Sequence, residues 1–400
     1  MLMKVAIEII NGHYLHFIVW PLGWIMKEKR IKILFTIPNF DTAGSGKALL
    51  NIAIRLDKTK FESQVACLHN RGDYFQEVKK SGIKIHLIDL YKNARPISKM
   101  LYECSNLSRI FKKISPDIIH SYHYAADYTE PLAARMAGVK WIYTKKNMSW
   151  EGPSYRGWKL RSWLADGIIC QNSDMLKFFF PDWNKANLIP IGVDINKYKK
   201  KHVNIKIKKQ LGIPDYARII ISVANLIPVK GIEILIKAFK QLSLENTSWR
   251  LMIVGDTSTK YGAKLKNEIS IKSNLENKII FTGKQRNIRE LLDIAEIYVQ
   301  PSLYKGEGAP IAILEAMANS KVIIGSDVPG IRDQLKFFPD HLFPAGDIDS
   351  LIKKLELFMR KSTSENYELG KSFYQYVLNN YDISNEKVKI QKYYKQILQG

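Results

Sequence analysis

The chain has 400 residues, 46% of them hydrophobic and 25% charged, with a formal net charge of +23. That length exceeds one ordinary core and predicts two domains of roughly 150–200 residues. Three scattered cysteines, Cys67, Cys104 and Cys170, exclude a disulfide framework and lack metal-ligand spacing. Lysine outnumbers arginine 47 to 14, and the lysines are spread along the chain. Base readout favours arginine forks, so the charge argues against nucleic acid and leaves an anionic membrane face as the partner to consider.

Residues 1–30 read as an N-terminal extension. "AIEIINGHYLHFIVWPLGWI" is apolar but interrupted by Glu8, Asn11, His13 and His16, and its uninterrupted part falls well short of the ~20 residues a spanning helix needs. No small-residue cleavage site follows it. Met26 reads as a natural start, which makes the segment an upstream extension first, an interfacial membrane segment second and a spanning helix third.

From Ile31 onward, short β-branched runs alternate with helical patterns, the signature of βαβ units. Strands are expected at Ile31–Ile37, Gln64–His69, Lys84–Asp89, Asp117–Tyr122, Lys140–Thr144 and Gly167–Gln171. Helices are expected at Gly46–Leu56 and Ile97–Ile114. After the first strand comes "NFDTAGSGKALLNIA". It suggests a phosphate loop, but the Walker spacing puts Asp41 where a glycine is needed and Ala48 where a magnesium-binding hydroxyl is needed. Lys47 then stands one residue into a helix whose apolar positions are Leu49, Leu50 and Ile52, so its side chain is expected in solvent. At the fourth strand end, "PDIIHSYHYAADYTEP" offers His120, Tyr122 and His123. "MSWEGPSYRGWKLRSWL" mixes tryptophans with basic residues, as at a membrane or sugar interface, although its apolar positions share no single helical face.

Residues 187–201, a Pro/Gly turn and a lysine run, read as the connection to a second alternating series. Its strands are expected at Arg218–Ala224, Trp249–Gly255, Lys278–Gly283, Glu296–Pro301 and Lys321–Ser326. Its helices are expected at Ile232–Leu242, Asn287–Ile294 and Pro310–Ala318. The chain closes on a helical pattern after Asp382. The expected divisions are 31–195 for an acceptor-side domain, 196–380 for a donor domain, and 381–400 for a helix packing back on the first domain. Two tandem parallel-sheet domains place their strand C-termini at a common cleft.

"PSLYKGEGAPIAILEAMANSKVIIGSDVPG" sets Glu307 in a loop before a helix and Glu315 inside that helix. Free amides of the first helical turn attract anions, and two carboxylates nearby can hold hydroxyls. Together these suit a sugar joined through a diphosphate to ribose. Lys230-Gly231 follows the first strand of the second series, where a lysine can neutralise phosphate.

The ordered set "NLIPIGVD", "NLIPVKG", "IVGD", "FTG" and "PSLYKGEGAPIAILEAMA" resembles the retaining, nucleotide-sugar-dependent glycosyltransferases of GT-B fold, family 4 or group 1. The likeness runs from Ile31 to the C-terminus. It implies an α/β fold of two tandem Rossmann-like domains and transfer of a sugar to an acceptor hydroxyl with retention. It implies no cofactor beyond the nucleotide-diphosphate sugar and, with no Asp-x-Asp motif where such a fold would need one, no essential metal. By position, the resemblance implies that Glu315 holds the ribose, Glu307 contacts the donor sugar or its phosphate side, Lys230 neutralises the diphosphate, and the backbone of Gly308, Ala309, Pro310 and Ile311 lines it. The donor set further includes Gly44, Asn225, Gly283 and Arg286. Asn225 stands where many members carry an arginine, so Arg286 is a candidate substitute. Gly44, after Ala43, fits a glycine pair that lets backbone approach the phosphates. His120 and His123 join Glu307 and Lys230 as catalytic candidates, and Tyr122, Asn147 and Trp150 as acceptor-side ones. The expected partners are the donor, a glycan or lipid-linked acceptor and an anionic membrane surface, with no nucleic acid. The expected setting is the cytoplasm or the cytoplasmic membrane face, in surface polysaccharide or lipid-linked oligosaccharide synthesis. A GT-B-type sugar-nucleotide epimerase and a non-catalytic sugar-nucleotide-binding protein are the alternatives. A dinucleotide oxidoreductase is disfavoured because no G-x-G-x-x-G turn is present.

Overall fold

The structure is a computed structural model describing residues 29–41, 43–72, 74–149, 155–201, 205–243, 248–272, 275, 277–304 and 307–400. The apolar extension of residues 1–25 and Trp150 lie outside the described residues.

The first sheet comprises β1 Ile31–Thr36, β2 Phe61–Cys67, β3 Lys84–Leu87, β4 Ile118–Ser121, β5 Lys140–Lys145, β6 Gly167–Cys170 and β7 Ala186–Leu188. Its order is β3-β2-β1-β4-β5-β6-β7, and all its pairings are parallel. The second comprises β8 Arg218–Val223, β9 Trp249–Val254, β10 Ile279–Gly283, β11 Ile297–Gln300, β12 Val322–Ser326 and β13 Leu342–Phe343. It is ordered β10-β9-β8-β11-β12-β13, again parallel. Every strand expected from sequence has a counterpart. The short edge strands β7 and β13 escape detection because two or three residues carry no alternation to read. Parallel strands covered by helices on both faces are apolar throughout. Accordingly, β9 is buried along its whole length. Side chains alternate between faces: Ile33 and Phe35 pack with Leu49 and Ile52, and Leu34 packs with Phe111, Ile119 and Trp141.

Each sheet reverses its winding once, between β1 and β4 and between β8 and β11, which are the places where doubly wound sheets open a ligand crevice. The helix expected from Gly46 begins three residues earlier, at Ala43. Gly46 is the glycine that packing demands there, since an added Cβ would lie 2.7 Å from the Phe40 ring. Gly44 has open space around it, so no close backbone approach requires its lack of a side chain in this structure.

The chain crosses between the domains twice, and the crossings are joined. Val193 of the connection bridges Asp382 in parallel: Val193 N donates to Tyr381 O (2.8 Å) and Ile383 N to Val193 O (3.0 Å). A Cβ on Gly192 would lie 2.7 Å from Ile383 Cα, so only glycine fits at that crossing. Asp382 separates the helix Thr363–Tyr381, which packs on the second domain, from Ile383–Gln399, which packs on the first. Tyr393 Oη accepts from Ile168 N (2.9 Å), and Gln391 Oε1 accepts from Asp57 N (2.8 Å). The three cysteines are buried free thiols.

Candidate functional site

β11 ends at Gln300, and the chain turns through Pro301 and Ser302 before entering the helix Ile311–Ala318 at Pro310. Pro310 holds the N-cap with φ −72° and ψ 108°, and the open amides behind it face the cleft end of the sheet. Three donors converge on one oxygen of Glu307: Lys230 Nζ (2.7 Å), Ser302 Oγ (2.6 Å) and Gln300 Nε2 (3.1 Å) all reach Oε1. Among the described residues Oε2 takes no hydrogen bond, so its lone pairs are uncommitted. Gln300 is itself held by Tyr298, whose Oη donates to Gln300 Oε1 (2.6 Å). Burial pushes that phenol well above its usual range, so it stays a donor.

Lys230 is placed by backbone geometry. It closes a single 3-10 turn, Pro228–Lys230, and Gly231 follows at φ 66°, ψ 17°. A Cβ on Gly231 would lie 1.9 Å from Pro301 O, and Leu303 N donates to Val229 O (2.8 Å). The turn is therefore pressed against the exit of β11, and its lysine meets Glu307.

Glu315, between one and two turns behind Pro310 and 3% exposed, meets a group from the other domain. Lys47 Nζ donates to Glu315 Oε1 and also to Tyr198 Oη. Tyr198 hydrogen-bonds Glu315 in turn, and burial and that carboxylate raise its phenol far above the ordinary range. This overturns the expectation that Lys47 points to solvent. Its side chain is only 15% exposed and bridges the cleft. Helical phase misled here, because a four-carbon stem leaving the polar face of a helix can still bend into a neighbouring domain.

The loop at Gly308 closes against the first domain. A Cβ there would lie 1.9 Å from Lys146 O, and Asn172 Nδ2 donates to Gly308 O. Gly330, at φ 84°, leaves 2.2 Å between such a Cβ and Gly308 O. Beside them Ser173 N and Oγ donate to Asp333 (2.6 and 2.7 Å), and Arg332 pairs with Asp174 (3.0 Å). Ala309 and Ile311 are half-buried and Pro310 is buried in the same wall. Gly283 ends β10 at φ 71°, while Asn225 and Arg286 are exposed.

The first domain's candidates differ from expectation. His120 is fully buried, with Nδ1 on Tyr394 Oη (2.7 Å) and Nε2 on Thr144 Oγ1 (2.8 Å). Burial, with Lys146 nearby, pulls it down to about 3. Its role is to tie the C-terminal helix to β4 and β5, and no face is left for a substrate, so the catalytic expectation for it is corrected. Tyr122, 2% exposed, lies under the Lys146 ammonium (4.3 Å to the ring) and likewise lines no open surface. His123 is 8% exposed, stacks on Tyr91 (3.8 Å between centroids) and is held down to about 3 by burial and Arg161. It is a packed, neutral ring in this structure. Asn147, half-buried just past β5, has a buried Oδ1 with no hydrogen-bond partner among the described residues.

Sequence reasoning missed Gln300, Ser302, Asn172, Tyr198 and the true direction of Lys47. A signal existed for the first two, since positions 300 and 302 share a face at a strand end two and seven residues from other site groups. Asn172 also shows as an N-cap, its Oδ1 accepting from Met175 N (2.7 Å). Contacts between domains leave no local pattern, and Tyr198 had none.

Two facing Rossmann-like domains with this donor wall define the GT-B architecture. The model of glycosyl transferases group 1 matches residues 203–376, and that of glycosyltransferase family 4 matches residues 42–197. The chain belongs to the group 1, family 4 glycosyltransferases. It is 27% identical over 267 residues to the UDP-Gal:alpha-D-GlcNAc-diphosphoundecaprenol alpha-1,3-galactosyltransferase of Escherichia coli, covering 62% of this chain and 68% of that one. It is 25% identical over 325 residues to the putative glycosyltransferase EpsF of Bacillus subtilis, covering 76% and 80%. Among solved structures, a glycosyltransferase from Rickettsia africae superposes with TM-score 0.80 at 20% identity, covering 93% and 99%. Anabaena Alr3699/HepE in complex with UDP and glucose superposes with TM-score 0.75 at 18% identity, covering 91% and 99%.

Proposed function

We propose that this glycosyltransferase moves a sugar from a nucleoside-diphosphate donor, UDP-linked in the first instance, to a hydroxyl of a glycan or lipid-linked acceptor. The setting is bacterial surface polysaccharide or lipid-linked oligosaccharide synthesis. The observation that carries the reading is Glu307, with three donors on one oxygen and the other open, set beside Lys230 and the first turn of the helix that carries Glu315. The UDP-Gal-dependent relative and the UDP-bound structural neighbour favour a uridine donor.

The chemistry asked of this site is electrostatic. As the sugar–phosphate bond breaks, charge grows on the leaving diphosphate, where Lys230 and helix-start amides are already in place. Gly308 packs against Lys146 O and accepts from Asn172 Nδ2, so closure of the two domains at this loop would exclude water from the donor side. We assign retention of configuration, attack from the leaving-group face and independence from metal, as the family resemblance implies. Incubation with UDP-sugars and a lipid-linked or saccharide acceptor tests this, with the anomeric configuration read by NMR. An inverted product, or activity lost in EDTA and restored by Mg²⁺ or Mn²⁺, overturns those assignments. Turnover of donor to an epimer without acceptor would favour the epimerase reading.

Among the described residues no helix is long and apolar enough to cross a membrane. Contact with an anionic membrane face is supported by exposed Ile97, Leu101, Tyr102, Trp163 and Phe178, on helices outside the first sheet, interleaved with exposed Lys99, Lys159 and Lys177. Co-sedimentation with phosphatidylglycerol vesicles, and its loss in Trp163→Ser/Phe178→Ser, checks it.

A further inference from the structure

The donor wall has few buried cations. Asn225 is neutral and exposed, Arg286 is exposed, and Lys230 is already balanced by Glu307. A sugar diphosphate brings negative charge on both phosphates, and burying it against one neutral ion pair leaves charge uncompensated.

A further ammonium that reaches the second domain's carboxylates belongs to Lys47. It leaves the helix Ala43–Ala53 of the first domain and reaches Glu315 on the helix Ile311–Ala318 of the second. A lysine has three N–H donors. Here one goes to Glu315 and one to Tyr198 Oη, and the ring of Tyr198 lies 4.8 Å from Nζ. Among the described residues the third donor has no partner.

We propose that Lys47 is a donor-phosphate ligand supplied by the first domain, standing in for the arginine absent at Asn225. The inference rests on the reading of Glu315 as the ribose-holding carboxylate. In a nucleotide the ribose ring and its phosphate are separated by a single methylene, so a cation seated on the carboxylate that grips the ribose is within reach of the adjacent phosphate. The carboxylate keeps lone pairs for the ribose hydroxyls while it holds the lysine. Because Lys47 and Glu315 belong to different domains, one side chain both neutralises the donor and draws the cleft shut, so nucleotide binding and closure are coupled.

Titration calorimetry with UDP and with uridine separates this from a purely structural ion pair. Lys47→Met should weaken UDP by roughly ten- to a hundredfold, the scale of one charged hydrogen bond, and weaken uridine less than about threefold. Lys47→Gln, which keeps a donor for Glu315 without the charge, should show the same selective loss. Lys47→Arg should recover most of the UDP affinity. Equal losses for UDP and uridine, or a Lys47→Gln protein that binds UDP like the wild type, would overturn the proposal. Melting of each unliganded variant shows whether it is folded, and a Lys47→Met protein that fails to melt cooperatively leaves the decision to Lys47→Gln and Lys47→Arg. A wild-type protein that binds none of UDP, GDP and ADP refutes the reading of the cleft itself, whereas wild-type binding without selective loss refutes only Lys47.

Discussion

The ends of β8 and β11 in the second domain and of β1 and β4 in the first occupy equivalent places on their sheets, yet they treat polar side chains in opposite ways. At the second domain, the half-buried Lys230 pairs with the buried Glu307, one carboxylate oxygen of which takes no hydrogen bond among the described residues. At the first, His120, Tyr122 and His123 are drawn into the packing, their protons fixed by burial. A histidine whose two nitrogens are both engaged has become part of the core, whatever its position in a motif.

The sharpest way to break that comparison is to remove the cation on the open side. Lys230→Met deletes a charged contact to the diphosphate and leaves Glu307 buried without its counter-ion. Donor affinity should fall by ~2–4 kcal/mol, a factor of roughly 30 to 1,000. Calorimetry with UDP reads this, and a loss under about fivefold would move the phosphate site elsewhere.

The frame behind Lys230 gives the next effect. Gly231→Ala must adopt φ 66° and place a methyl 1.9 Å from Pro301 O. Strain of this kind costs roughly 1–3 kcal/mol, and the melting temperature should drop by several degrees. A variant melting with the wild type would show that the turn shifts without cost and that Lys230 is loosely held.

Much of this was legible in the sequence, for a physical reason. Parallel strands announce themselves as apolar runs, which is why Ile31 to Thr36 and Trp249 to Val254 stand out. Glu307, Pro310 and Glu315 form one local strand–loop–helix, so their spacing survives into three dimensions. Lys47 with Glu315 and Asn172 with Gly308 join residues far apart in sequence, and no periodicity encodes such pairs. His120 misled because a polar residue at a strand end looks the same whether a ligand or a tyrosine 274 positions away meets it.

The packed side of the comparison makes its own claim about pH. His120 and His123 sit at about 3 in the folded protein, pulled down chiefly by burial, against about 6.5 in the unfolded chain. The unfolded chain then binds more protons, so the stability these rings contribute is full above about pH 6.5 and is lost as pH falls toward 3. Each buried ring costs up to about 1.4 kcal/mol per pH unit within that window. His120→Asn should be less stable than wild type at pH 7, through its lost bonds to Tyr394 and Thr144, and the gap should narrow as pH falls from 6.5 to 4.5. Urea melts across that range check it. A gap independent of pH would mean that His120 is protonated or accessible in the native state, which restores it as a catalytic candidate.

The smallest effect concerns the edge of the open side. Arg286 follows Gly283 on the loop after β10, and both it and Asn225 face solvent. A contact between an exposed arginine and a phosphate is screened by water and pays for ordering a long side chain, so it is worth at most about 1 kcal/mol. Arg286→Ala should therefore weaken UDP by less than about fivefold, and the loss should vanish at high salt. That outcome leaves the half-buried lysines, 230 and 47, as the charges that hold the diphosphate. A loss beyond about tenfold that persists in high salt would mean that Arg286 folds into the cleft when the donor arrives. The accessible side would then complete its charge with a residue recruited from the surface, and Lys47 would no longer be needed to explain the asparagine at 225.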